Sequence, residues 1–208
     1  MKKSTQIRSL YLVLGDQLTT NSSFFKNYDS TKDLIWMAEV KEEATHVWTH
    51  KARIVMFLSA MRHFKTELES NGMRCSYTEM TSKSPSNSLG LELSSFLKST
   101  KCLSVKVRKP GEHRVEMLLT KAVSENGLTL EILEDDHFLS TIEEFTLHAK
   151  DRKQLRMEYF YREMRKKHKI LCNDDKPEGG EWNFDSENRK SFSKEGPGLL
   201  PSPISFPL

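Results

Sequence analysis

The chain has 208 residues, 37% hydrophobic and 29% charged, with a formal net charge of +3 and a mean hydropathy of -0.59. That length suits one well-buried domain plus an appendage and excludes two ordinary domains. The longest apolar runs, Leu10–Leu14 and Ile54–Leu58, fall far short of the ~20 residues that cross a bilayer. MKKSTQIRSL carries charge with no apolar stretch behind it, so neither membrane nor secretory signal is expected and the cytoplasm is the expected location.

The first predicted strand, Ser9–Leu14, holds five consecutive apolar residues from Leu10 to Leu14 and runs into Gly15-Asp16-Gln17-Leu18. An apolar run without polar alternation is the pattern of a strand buried on both faces, as at the centre of a parallel sheet. Gly15 permits a tight exit and delivers Asp16 and Gln17 at the strand's carboxyl end. Strand two is Leu34–Val40. The clearest helix follows, roughly His46–Ser70, with Ile54, Phe57, Leu58, Met61, Phe64 and Leu68 at helical spacing and Asn71-Gly72 as its stop. Strand three is Arg74–Thr78; a Leu-rich helix closes at Ser95–Lys98; strand four is Cys102–Val107. Pro110-Gly111-Glu112 opens a helix carrying Val115, Met117, Leu118 and Leu119, and strand five is Leu128–Leu133. Helices between successive strands imply right-handed crossovers and a doubly wound α/β fold whose five-stranded parallel sheet runs in the order 3-2-1-4-5.

Three parts are expected: a sheet domain over 1–149, a basic aromatic helix over 150–172, and an irregular connector over 173–208. From Lys150 to Lys169 nine basic residues stand against three acidic ones, a local net of +6 that leaves the remainder of the chain at -3. Tyr159, Phe160, Tyr161 and Met164 share that helix. Cations with exposed aromatics would suit nucleic acid; alternatively Leu155, Tyr159, Phe160 and Met164 pack inward on a neighbouring domain while the cations are solvated. Beyond Asn173 the chain is rich in Gly, Pro, Ser and Asn without periodicity. GPGLLPSPISFPL has a linker's composition, which raises the expectation of a polypeptide that stops short of a further domain.

In an open sheet of this order ligands bind at the carboxyl ends, where the chain reverses between strands one and four. That edge receives Gly15, Asp16 and Gln17, then Glu39, Lys41, Glu42 and Glu43, then Lys109, Gly111, Glu112 and Arg114. Acceptor-rich and lacking GxGxxG or P-loop patterns, it suits a neutral, hydroxyl-bearing ligand better than a phosphate. The bland alternative is that Asp16 caps a turn and Glu42 and Glu43 cap a helix. Arg108 and Arg114 could clamp an anion or form a solvated basic face. His46 and His50 stand four apart without a third ligand, and Cys75, Cys102 and Cys172 are isolated, so no metal site is expected. No nucleophile or acid–base pair stands out, so no catalytic residue is assigned.

Three segments carry more than pattern. LVLGDQL, EVKEEATHVWTHKARIVMFLSAMRHF and MEYFYREMRKKHKILCNDDKPEGGEWNFDSENRK, in that order, closely resemble the deoxyribodipyrimidine photolyase-related proteins, the bacterial iron–sulfur cryptochromes and (6-4) photolyases. The resemblance implies a Rossmann-like antenna domain that binds 6,7-dimethyl-8-ribityllumazine, with Gly15, Asp16, Gln17 and Glu43 at the pigment, Glu39 beside them and Phe57 in an apolar wall or in the core. It implies further that FAD and a four-cysteine [4Fe–4S] cluster belong to a helical domain absent from this chain, a partner domain of the same protein, with Lys176–Lys190 as the connector to it. DNA is the implied partner of the intact protein, in light-dependent repair or light sensing, and this fragment is expected to be inactive in repair by itself. A nucleic-acid-binding module and a standalone nucleotide-binding α/β domain are the rival readings.

Overall fold

A computed structural model describes residues 6–81, 88–189, 191–196, 198–199, 201 and 203–205. The extreme amino terminus and parts of the GPGLLPSPISFPL segment therefore lie outside the described residues. The chain divides into two compact units, Met1–Thr141 and Ile142–Leu208.

The first unit is a five-stranded sheet: β1 (Ile7–Leu12), β2 (Leu34–Ala38), β3 (Cys75–Thr78), β4 (Cys102–Arg108) and β5 (Leu130–Leu133). The spatial order is β3-β2-β1-β4-β5, and every pairing is parallel. This is the expected α/β doubly wound arrangement. Its helices are α1 (Lys41–Thr45), α2 (Lys51–Ser70), α3 (Leu89–Ser99) and α4 (His113–Ser124). One expectation fails: no α-helix joins β1 to β2, where a single 3₁₀ turn at Ser23–Phe25 makes the connection. Its Phe24 nevertheless fills the core, stacking edge-on against Tyr11 at 5.2 Å.

Side-chain alternation along β1 builds two cores at once. Leu10, Leu12 and Leu14 join Trp36, Ala38, Val105 and Val107 beneath α3 and α4. Tyr11 and Val13 join Ile35 and Met37 on the opposite face, covered by Phe24 and by Met61, Phe64 and Leu68 of α2. Each fully buried Leu or Phe contributes on the order of 2 kcal/mol of transfer free energy, which is why an all-apolar strand sits at the centre rather than at an edge. At the opposite end of the strands Asp33, fully buried, accepts from Arg8 Nε at 2.8 Å and from the Ser9 and Asp29 amides.

The long helix starts at Lys51 rather than near His46. His50 leaves the helix in extended backbone and its Nδ1 accepts from the Ala52 amide at 3.1 Å, an N-cap. At the other end Gly72 takes a φ of 72°, the left-handed turn that glycine makes without strain.

The second unit contains α5 (Ile142–Ala149), α6 (Met157–His168), a two-stranded antiparallel ribbon of β6 (Cys172–Asn173) and β7 (Lys176–Pro177), and α7 (Asp185–Asn188). The segment expected to be wholly irregular from Asn173 onward thus holds a ribbon and a short helix. Lys169, Leu171 and Asp174 adopt left-handed φ values of 53°, 48° and 54°, and these reversals fold the chain tightly after α6 without any periodic sequence signal.

Candidate functional site

The carboxyl edge of the sheet opens into a cavity of about 480 Å³, within the range of small-molecule sites. Its floor is Val13, Leu14, Gly15 and Asp16 from the exit of β1. One wall comes from Glu39, α1 and the first turns of α2, and another from Pro110, Gly111 and the start of α4. This is the switch point of the strand order, where β1 is flanked by strands whose crossovers leave in opposite directions.

Of the residues singled out from sequence, Gly15, Asp16, Glu39 and Glu43 line this cavity; Gln17 does not. Gln17 is only 5% exposed, and its Nε2 donates to the carbonyls of Arg108 at 3.3 Å and Lys109 at 3.0 Å. It tethers the exit of β1 to the exit of β4. Gly15 is dictated by packing: a Cβ there would lie 2.5 Å from the Phe57 ring and 2.9 Å from the Met61 sulfur. Phe57 lines the cavity and is 39% exposed, a wall residue rather than part of the core.

Asp16 is exposed at the mouth, its Oδ2 beside Gly111. Partial desolvation of the carboxyl by the surrounding walls raises its pKa; its own backbone N–H pulls it down, and the carboxylates of Asp135, Glu112 and Glu43 push it up. Glu39 is 1% exposed and its carboxylate is fully engaged. Arg62 donates through Nε at 2.6 Å and Nη2 at 2.9 Å, the Tyr77 hydroxyl donates at 2.7 Å and the Met80 amide at 2.9 Å. Burial pushes this carboxyl up, but the donors from Arg62, Tyr77 and Met80 outweigh it and hold the pKa below the usual value. Glu39 is therefore a rigid piece of wall with little accepting capacity left.

Glu43 lies in the first turn of α1 with Glu42, where the helix dipole favours acid, yet it also meets the cavity. Arg114 of α4 donates to both of its oxygens, at 3.0 and 3.1 Å, and to Glu112 at 3.0 Å. Arg114 is thus a carboxylate-bound strut across the mouth. Arg108 is neither clamp nor solvated face: its side chain is 1% exposed, its guanidinium lies over the Phe24 ring at 5.6 Å, and its Nη1 is 2.7 Å from His137 Nδ1. Desolvation lowers its pKa against the pull of Asp136, Asp135 and Asp16.

Sequence reasoning missed Arg62 and Tyr77, which fix Glu39, and Thr49, Ile54 and Arg53, which line the cavity. Arg62 does have a signal, as a cation set among the apolar positions of α2. Arg53 shows no ion pair among the described residues. His46 lines the cavity while His50 caps α2. Among the described residues no three His, Cys, Asp or Glu side chains group to hold a metal, and no helix is long and apolar enough to cross a membrane.

An open parallel sheet with a part-apolar crevice at its switch point defines an α/β domain of the doubly wound class. Within that class the chain belongs to the deoxyribodipyrimidine photo-lyase-related protein family, whose model matches residues 11–207. It is similar to a (6-4) photolyase of Agrobacterium fabrum (strain C58 / ATCC 33970), with 40% identity over 181 residues. The match covers 87% of this chain and 36% of that relative, so the chain spans about a third of the relative's length.

Proposed function

We propose that the first unit is a pigment-binding antenna domain and that its switch-point cavity holds 6,7-dimethyl-8-ribityllumazine. The observation that carries the reading is the make of the cavity: about 480 Å³, an aromatic wall at Phe57, and the carboxylates of Asp16, Glu39, Glu43 and Glu112 among its polar groups. Arg114 is shared between Glu43 and Glu112 and Arg62 is held by Glu39, so a phosphate would face Asp16 and the residual negative charge of that Arg114 cluster, with Arg53 as the cation that shows no ion pair among the described residues. A neutral ribityl chain instead supplies hydroxyl donors to those acceptors. Asp16 and Glu43 accept from the ribityl hydroxyls in this reading, Phe57 meets the bicyclic ring, and Arg53 supplies a donor for a ring carbonyl. Gln17 and Glu39 shape the cavity without touching the pigment. When bound, the pigment would supply absorption near the visible edge.

The reading extends to the intact protein, where light gathered here would pass as excitation to reduced FAD for light-dependent DNA repair or light sensing, in the cytoplasm. FAD and the iron–sulfur cluster would be held by a helical domain this chain does not span, and the chain alone would not repair DNA.

Equilibrium dialysis of the purified chain against the lumazine, with absorption and fluorescence of the retained pigment, tests the site. Saturable binding that is weakened about tenfold or more by Asp16→Asn or Glu43→Gln is expected, one lost hydrogen bond to a charged group being worth ~1.5–3 kcal/mol. Absence of binding by chain with native circular dichroism, or equal binding by Glu43→Ala, overturns the assignment.

A further inference from the structure

The floor of the cavity is fixed by the Gln17 amide, but the wall made by α1 is held differently. No residue of α1 is buried, and its N-cap, Val40, has no side-chain group to bond a backbone amide. Past its end Val47 and Trp48 are 71% and 92% exposed, and Val47, Trp48 and Thr49 make no backbone hydrogen bond among the described residues. Both ends of the segment are nevertheless fixed: Val40 is buried after β2, and His50 caps α2. Residues 41–50 therefore form a strap, anchored at two points and lacking the buried contacts that hold an element in place. Glu43, Ala44, His46, Val47 and Thr49 of this strap line the cavity, so its position sets the width of the mouth.

What holds the strap is Arg114. It stands in the first turn of α4, where the helix dipole disfavours a cation, so α4 itself gives no reason for it. Its guanidinium reaches across the mouth and donates to both Glu43 oxygens, at 3.0 and 3.1 Å. It also donates to Glu112 at 3.0 Å, whose carboxylate turns to Arg114 rather than capping α4. Glu42 Oε1 lies 3.9 Å away, and Glu42 Oε2, shielded from water, has no hydrogen-bond partner among the described residues. Three carboxylates thus converge on one guanidinium, and without it they would repel one another across the mouth. The pairs to Glu43 and Glu112 are part-exposed, a setting in which an ion pair is weak enough to break and re-form.

We propose that residues 41–50 are a hinged strap over the cavity and that Arg114 is its latch, shut while the guanidinium fork grips Glu43 and open when the fork lets go. Arg114 is a positioning residue: it acts on the guest through Glu43 and through the width of the mouth. The identity of the guest rests on the pigment reading, whereas the strap and its latch rest on the geometry of α1 and α4. A neutral guest feels no electrostatic steering. A change of charge at position 114 therefore alters the guest's association rate only by altering its route into the cavity.

Two measurements on the whole chain test the latch. Hydrogen–deuterium exchange of the pigment-free protein should run about tenfold faster over peptides spanning 41–50 in Arg114→Gln than in the wild type, two part-exposed ion pairs being lost. Peptides from Met61 to Leu68, in the core, should keep their protection in both. Stopped-flow mixing with 6,7-dimethyl-8-ribityllumazine, read by its fluorescence, should show association and dissociation both about tenfold faster in Arg114→Gln, with Kd changed by less than about threefold. Arg114→Lys, which keeps the charge and loses the fork, should fall between. Equal exchange over 41–50 in the wild type and Arg114→Gln overturns the latch. So does faster dissociation with unchanged association, which would make Arg114 a plain pigment contact. Absence of pigment binding by the wild-type chain overturns the pigment reading and with it the gating of that guest, while the exchange measurement still decides the latch.

Discussion

The two halves of α2 follow one apolar spacing and meet opposite fates. From Met61 to Leu68 the stripe is sealed into the core against β1 and β2, whereas Ile54 and Phe57 face the cavity and Val55 and Met56 are exposed. The helix outruns the sheet it packs on, and its first turns are left as wall over the carboxyl edge. An apolar stripe therefore reports that something must cover it, without saying whether that something is protein.

Substitutions along the helix should sharpen this contrast. The largest effect is expected from Leu68→Ala, a fully buried site, which should cost about 3–4 kcal/mol in chemical denaturation, transfer loss and cavity together. Arg62→Ala comes next at about 2 kcal/mol, because it leaves the buried Glu39 carboxylate with only Tyr77 and the Met80 amide as donors. The same pair predicts an acid response. Since the folded carboxyl titrates below its ordinary value, its contribution is complete at neutral pH. It drains away as the pH drops beneath the ordinary carboxylate range and is gone below the folded value. Glu39→Gln should flatten the part of a urea-midpoint profile that lies below the ordinary carboxylate range. Gly15→Ala should cost about 1–3 kcal/mol by overpacking, the added methyl displacing the Phe57 ring, and should change cavity occupancy in the same dialysis assay. Phe57→Ala marks the other extreme: under about 1 kcal/mol of stability, because the ring is part-exposed, but a clear loss of bound pigment. A Phe57→Ala cost as large as that of Leu68→Ala would erase the distinction between wall and core.

The sheet order was legible because its evidence is periodic: all-apolar LYLVL marks the centre, and amphipathic helices after β2, β3 and β4 force parallel crossovers. The β1–β2 connection was not, since a 3₁₀ turn that buries a single Phe24 leaves no periodicity to read. The candidate edge was legible for Gly15, Asp16 and Glu43 because strand ends fix where those residues emerge. Which polar groups remain available was not. Gln17 is consumed by carbonyls 91 and 92 positions away, and Glu39 by Arg62, Tyr77 and Met80; such pairings are set by tertiary contact and write no local pattern. The ribbon of β6 and β7 escaped for a related reason, its reversals resting on left-handed non-glycine residues that composition does not announce.

The Gln17 amide has a consequence of its own. By bridging the ends of β1 and β4 it works as a spacer of fixed length at the one place where the sheet could splay. A guest entering the crevice meets a socket of constant gauge and need not freeze a floppy loop first. Recognition there should resemble fitting a key to a cut lock, and lengthening or shortening that single side chain would regauge the opening while leaving every residue that touches the guest in place.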